Sequence, residues 1–211
     1  MPRFALAIFD FDGTLADSFP WFCSVLDQTS DHFGLRRVDP AQIESLRDRS
    51  SRDVLSYLGV PFWKLPQIAT YMRGLAAEGI TGIPLFAGAA DALAQLHTAG
   101  VKLALVSSNS EANVRSVLGG AAPLIDKYDC GASLFGKSGH FRSVLDATRI
   151  AKPQTIGIGD ELRDIEAARG TGIASGAITF GYNSRPALER GKPDFLFDDY
   201  DALVAAILLP R

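Results

Sequence analysis

The 211-residue chain is 47% hydrophobic and 21% charged, with a formal net charge of −3, a composition ordinary for one good globular core plus an accessory unit. That balance excludes a basic footprint for nucleic acid and a polybasic patch for an anionic membrane, and the apolar runs fall short of the roughly 18 residues a membrane-spanning helix needs. The segment Met1–Asp10 carries one basic residue, a short apolar stretch and no small-residue cleavage site, so it does not read as a signal peptide. Cys23 and Cys130 lie in no metal-binding spacing and are expected as reduced, buried thiols of a cytoplasmic protein.

In chain order, Phe4–Phe9 reads as a short buried strand that Asp10-Phe11-Asp12-Gly13-Thr14 interrupts. Apolar residues at three- and four-residue spacing then predict helices over Trp21–Phe33, Pro40–Leu46, Arg52–Leu58 and Phe62–Ala77, with no strand among them. Beyond Pro84 the pattern alternates. Helices are predicted over Ala89–Ala99, Glu111–Leu118, Gly139–Arg149, Leu162–Gly170 and Asp201–Leu208. Strands are predicted over Val101–Val106, Asp129–Phe135, Thr155–Gly159, Ala177–Phe180 and Phe195–Phe197. Strands alternating with helices imply an α/β doubly wound parallel sheet covered on both faces. The expected division is a core of residues 1–16 and 83–211 with an inserted helical unit over 17–82, too small to hold a large core of its own.

Three apolar strands end in polar residues: Asp10 and Asp12 after the first, Ser107 to Asn109 after the second, Gly159-Asp160 after the third. In an open parallel sheet the ligand crevice lies outside the carboxyl ends of the strands, so these residues are expected to converge. Asp10 and Asp12, two apart in an extended segment, project to one side and repel unless a cation or donors neutralise them. Gly13 permits a sharp turn that presents amide groups to an anion; the bland alternative is an acidic Asx turn. Ser108 and Glu111 have capping-box spacing, which leaves Ser107 at the strand tip to donate to a phosphoryl oxygen, with Asn109 beside it. Asp160 reads either as a helix N-cap or as an oxygen ligand. Asp164, on the same helix face, reads as a solvated residue or as an orienter of metal-bound water or partner of a lysine. For the cation, Lys137 in a glycine-rich loop is preferred over Lys152, which should sit at the opposite end of the Thr155–Gly159 strand.

Together, Asp10-Phe-Asp12-Gly-Thr14, Ser107, Lys137 and Gly159-Asp160-Glu-Leu-Arg-Asp164 resemble, in order, the four motifs of the haloacid dehalogenase superfamily of phosphohydrolases. Residues 17–82 look like that family's small helical cap, and the phosphoglycolate-phosphatase-like and β-phosphoglucomutase-like enzymes are the most similar subgroups. Two departures stand out: Ser-Ser-Asn in the second motif, and no Lys-Pro dipeptide at Lys137. The resemblance implies a Mg²⁺ ion held by Asp10, the Asp12 backbone and Asp160, with Asp164 behind them. It implies Asp10 as nucleophile, Asp12 as acid and base, and Ser107 and Lys137 on the phosphoryl oxygens, with Gly13, Ser108 and Asn109 nearby. It also implies cap residues at the far end of a small phosphate ester, for which Arg47 and Arg52 are the candidates beside the alternative of an exposed basic helix start. A phosphomutase remains an alternative, as does a non-catalytic binding module on the same fold; the oligomeric state is left open.

Overall fold

The computed structural model describes residues 2–131 and 136–209. Its strands are β1 (Leu6–Phe9), β2 (Lys102–Ser107), β3 (Lys127–Cys130), β4 (Thr155–Gly159), β5 (Ala174–Ile178) and β6 (Phe195–Phe197). They form one parallel sheet in the order β3-β2-β1-β4-β5-β6. The order reverses at β1, which lies between β2 and β4. A crevice therefore opens beyond the carboxyl end of β1.

Alternation along the central strands builds two cores. Ala7, Phe9, Leu103, Leu105, Ile156 and Ile158 belong to one apolar cluster, while Leu6, Ile8, Ala104 and Val106 face the other. The first is covered by α5 (Ala89–Thr98), α6 (Glu111–Leu118) and α10 (Tyr200–Leu208), the second by α7 (Lys137–Thr148) and α8 (Leu162–Thr171). The expected α/β doubly wound sheet, covered on both faces, is what the chain adopts. α9 (Arg185–Gly191) packs against α8 at the edge.

Between β1 and α5 the chain is helical: α1 (Phe19–Phe33), α2 (Ile43–Arg47), α3 (Ser51–Tyr57) and α4 (Leu65–Glu78), with single 3₁₀ turns at Pro40–Gln42, Phe62–Lys64 and Ile80–Gly82. Its connectors lie side by side. Asp17 N–H donates to the Pro84 carbonyl at 2.9 Å, and Phe86 N–H to that of Leu15 at 2.9 Å. The apolar cluster inside this segment has only Val38, Leu46 and Leu58 as buried members.

Several expectations are corrected. β5 begins three residues before the predicted Ala177–Phe180 strand, because its small residues masked it. A side chain at Gly176 would press on Phe197 and Ile156 of the neighbouring strands. β3 begins at Lys127 rather than Asp129, and the predicted continuation over residues 132–135 lies outside the described residues. α7 starts at Lys137 itself, after Gly136 in a left-handed conformation (φ 95°), so Lys137 is the first helical residue and not part of a loop. The cap of α6 is Ser110, whose Oγ accepts from Asn113 N–H, in place of the predicted Ser108–Glu111 box. α9 was not predicted, although Ser184 and Pro186 mark its start. Cys23 and Cys130 are free but half-buried rather than buried.

α10 reaches the loop after β1 through Tyr200, whose hydroxyl donates to the Thr14 carbonyl at 2.6 Å in a buried position. Tyr200→Phe should leave that carbonyl unsatisfied and lower unfolding free energy in urea by about 1–3 kcal/mol. A loss below ~0.5 kcal/mol would show that the bond contributes nothing net.

Candidate active site

The loop after β1 is built by its own backbone. Asp10 N–H continues the ladder to the Ile158 carbonyl at 2.8 Å, and the amides of Thr14, Leu15 and Ala16 all converge on the Phe11 carbonyl. Gly13 turns the chain with φ 76°, and a side chain there would overlap the Asp160 carboxylate. Gly181 is likewise held against Asp160. Glycine is required at both positions because backbone and carboxylate pack face to face.

Asp10 is 3% exposed. Its Oδ1 accepts from Phe11 N–H at 2.8 Å, and Lys137 Nζ stands 2.7 Å from Oδ2. Lys137 also donates to Asp164 Oδ1 at 2.5 Å. The other Asp164 oxygen accepts from the amides of Asp160 and Glu161 at 3.2 and 3.0 Å. Asp160, fully buried, accepts from Thr14 Oγ1 and from Tyr182 N–H, both at 2.7 Å. The N-cap of α8 is Glu161, in a capping box with Asp164, so Asp160 is not the cap. Ser107 is buried at the tip of β2, where its Oγ accepts from Asn109 N–H at 3.0 Å. The Asn109 amide reaches Asp12 Oδ2 at 3.3 Å, and the Ser108 carbonyl accepts from Arg73 of α4 at 3.2 Å. Strand register sets this convergence: Phe9 pairs with Leu105 on one side and Ile158 on the other. Lys152 lies immediately before β4, at the opposite end of the sheet.

Crowding of carboxylates dominates the electrostatics. Burial, with the Lys137 cation opposing it, leaves the Asp10 pKa raised. Burial and the neighbouring charges of Glu161, Asp10 and Asp164 push Asp160 well above the ordinary range. Burial and Asp10 push Asp12 up to about 6. Lys137 is desolvated too, yet Asp10 and Asp164 hold its pKa up. Burial of Asp164 is outweighed by Lys137 and Arg163, so its pKa is lowered. The carboxylates of Asp10, Asp160 and Asp164 offer oxygens within 4.8 Å of one another, all buried. Among the described residues, Lys137 and Arg163 are the cations paired within this acidic cluster. A hard divalent cation fits, because it would offset the burial and the mutual repulsion that hold Asp10 and Asp160 up. Asp164 has both oxygens engaged by Lys137 and by backbone amides, which suits it to positioning.

Arg47 departs from expectation. Its Nε and Nη2 donate to the carbonyls of Tyr182 and Gly181 at 3.0 and 2.9 Å, and Nη1 to Glu44. Those contacts tie the α2–α3 turn to the 181–184 loop and take up the donors assigned to a substrate anion. Arg52 is exposed in the first turn of α3. Sequence reasoning missed Arg163, Glu161, Tyr182 and Arg73. Arg163 carried a signal, since a cation in the first turn of a helix opposes its dipole.

A family model for haloacid dehalogenase-like hydrolases matches residues 7–178. The chain belongs to the haloacid dehalogenase-like hydrolases. It is 31% identical over 202 residues to a phosphoglycolate phosphatase of Synechococcus elongatus, covering 95% of each chain. It is 28% identical over 224 residues to a phosphoglycolate phosphatase of Vibrio cholerae, covering 99% of each. The structure of a haloacid dehalogenase-like family protein from Streptococcus pneumoniae superposes with a TM-score of 0.78 at 22% identity, covering 96% of this chain and 98% of that one. No helix among the described residues is long and apolar enough to cross a membrane.

Without metal, folded Asp12 keeps its proton to a higher pH than the unfolded chain does. Its contribution is fully present below an unfolded value of 3.8 and is lost as pH rises through about 6. In chelator, Asp12→Asn should therefore gain stability over the wild type between pH 4 and pH 7, by about 2–3 kcal/mol. A difference that stays flat across that window, measured by urea unfolding, would contradict a raised Asp12.

Proposed function

We propose that this chain is a Mg²⁺-dependent phosphatase that hydrolyses a small phosphate monoester, of the phosphoglycolate kind, by way of a phosphoryl group carried on Asp10. The observation that carries the reading is Asp10 itself. It is a buried carboxylate at the switch point of the sheet, 2.7 Å from a buried lysine and grouped with Asp160 and Asp164. Residues of catalytic type at three strand ends suit phosphoryl transfer, in which positioning and charge neutralisation supply most of the acceleration. The phosphoglycolate phosphatases among the relatives support the substrate class.

In the first half-reaction, an Asp10 oxygen attacks phosphorus in line as the bond to the leaving oxygen breaks. Asp12, with its pKa near neutrality, gives its proton to the departing alkoxide. In the second, Asp12 takes a proton from water, whose oxygen attacks phosphorus, and Asp10 is released as a carboxylate together with inorganic phosphate. Lys137 and Ser107 hold the phosphoryl oxygens, and Asn109 keeps the Asp12 carboxylate in place. Asp10, the Asp12 backbone and Asp160 would hold Mg²⁺, with Asp164 orienting Lys137 and the amides of the loop behind them. When bound, the ion neutralises charge between the nucleophile and the phosphate dianion. Residues 17–82 act as a cap that excludes water and selects the leaving group. Within it, Arg47 holds the closed position and Arg52 is the candidate for the distal anion.

Asp10→Asn should abolish phosphate release while leaving the circular dichroism spectrum unchanged, since the amide keeps the shape and removes the nucleophile. Retained turnover in a folded variant rejects the assignment. Chelation should remove activity and Mg²⁺ restore it, whereas Ca²⁺, which prefers longer bonds and more ligands, should inhibit; full activity in excess chelator sinks the scheme.

The two arginines separate by substrate. Arg52→Ala should raise KM for phosphoglycolate about tenfold and leave a small aryl phosphate unaffected, the loss expected for one charge-assisted hydrogen bond. Arg47→Ala should lower kcat/KM for both substrates alike, because it loosens the cap. A phosphoglycolate-specific loss in Arg47→Ala would return that residue to the substrate.

A further inference from the structure

Arg163 is unused in that scheme. It is the second residue of α8, in the first turn, where a cation opposes the helix dipole. Helix stability therefore does not account for it. Its side chain is only 19% exposed, and Nη2 lies 3.8 Å from Asp10 Oδ2, the oxygen that Lys137 approaches at 2.7 Å. At 3.8 Å it faces the nucleophile without being hydrogen-bonded to it.

Its orientation comes from Glu161. Arg163 Nε and Nη2 both converge on Glu161 Oε1, at 2.9 and 2.5 Å, so the pair is not the two-oxygen fork. The second oxygen, Oε2, accepts from the hydroxyl of Ser51 at 2.5 Å. Ser51 is the first residue of α3. A chain of contacts thus runs from the helical cap through Ser51 and Glu161 to Arg163 and the nucleophile.

We propose that Arg163 is a further phosphoryl-binding residue, whose guanidinium meets an oxygen of the phosphoryl group at Asp10, and that the cap positions it through Ser51 and Glu161. The proposal rests on the phosphatase reading above. A guanidinium matches phosphate oxygens well and is always charged. Lys137 and Arg163 then bracket the transferred group as charge redistributes. Lifting the cap removes Ser51 from Glu161 and releases the guanidinium, so the cation set is complete only when the cap is closed.

The test combines inorganic phosphate binding to the Mg²⁺-supplied protein, by calorimetry, with hydrolysis of p-nitrophenyl phosphate. Arg163→Met should weaken phosphate binding and lower kcat/KM by about 10- to 100-fold. Arg163→Lys should recover only part of either loss, because the charge returns without the fork. Ser51→Ala should lower kcat/KM three- to tenfold in the wild-type background and by less than twofold when Arg163 is already Met or Lys. That non-additivity would show that Ser51 acts through Arg163, while the loss of phosphate affinity separates phosphoryl binding from a counter-ion role.

Wild-type phosphate affinity and turnover in a folded Arg163→Met overturn the proposal. An equal Ser51→Ala effect in every background overturns the link to the cap. If Arg163→Met fails to fold, Arg163→Lys decides: phosphate affinity and kcat/KM equal to wild type reject the role. If the wild-type protein binds phosphate through Arg163 yet turns over no ester, the phosphatase reading fails and the anion site stands.

Discussion

Negative charge concentrated in a dry crevice is the constraint around which this structure is organised. β1 delivers Asp10, β4 delivers Asp160, and the first turn of α8 adds Asp164 beside Glu161. Burial strips these carboxylates of water and proximity sets them against one another. Each then needs a compensating partner, and the surrounding residues supply them. Lys137 bridges Asp10 and Asp164. Backbone amides of residues 160, 161 and 182 and the Thr14 hydroxyl supply the rest. Glycine at 13 and 181 lets backbone reach Asp160 where a side chain would collide with it. A polar assembly of this kind lowers stability unless nearly every group is partnered. The two apolar clusters of the sheet provide the rigid frame that keeps it together.

The same constraint separates the roles of carboxylates that look alike in the sequence. Asp164 is tied by Lys137 and two amides, and its pKa falls. Asp160 has hydrogen-bond donors but, among the described residues, no salt bridge to a cation, and burial with its acidic neighbours raises its pKa. Asp12 stands further out, touched by Asn109, and is poised near neutrality at about 6. On the proposed reading, such differences would divide these carboxylates into acid, base and ligand. Here the dividing agents are identifiable as particular amides, hydroxyls and cations.

Much of the central sheet was legible because its strands are apolar runs cut off by polar residues. Thr155–Gly159 matches β4 residue for residue, and Phe4–Phe9 and Val101–Val106 match β1 and β2 within two residues at each end. Strand-end position alone was enough to gather Asp10, Ser107 and Asp160. β3 and β5 were harder. Ala174-Ser-Gly in β5 is too small to register as a hydrophobic run, and its smallness is a demand of neighbours that only the fold brings near. Lys137 was preferred to Lys152 by asking which end of β4 each could reach, and it lies 2.7 Å from Asp10, but its place at the start of α7 was missed. The contacts of Arg47, Arg163, Tyr182 and Arg73 join residues far apart in sequence or sit on side-chain direction, and no local pattern encodes either.

On the proposed reading of the helical segment as a cap, its contacts make it both specific and movable. Its buried apolar cluster of Val38, Leu46 and Leu58 is small, so it has little internal stability with which to resist displacement. What binds the α2–α3 turn to the core is polar. Arg47 lies on the carbonyls of 181 and 182, and the Asn183 side chain lies on those of Arg47 and Arg49. Ser184 N–H meets Arg47, Ser184 Oγ meets Asp48, and Ser51 meets Glu161. Hydrogen bonds between groups that water can also satisfy contribute only about 0.5–1.5 kcal/mol each. A handful of them can close the cap firmly in one register and still release it at a cost that thermal motion meets on the timescale of turnover. An apolar seam of the same area would hold more strongly and choose its register less sharply. Because Asn183 also accepts from Leu162 N–H and Glu161 also orients Arg163, the groups that fasten the cap are the same ones that begin α8. Closure and the geometry of the carboxylate cluster are therefore settled by one set of contacts.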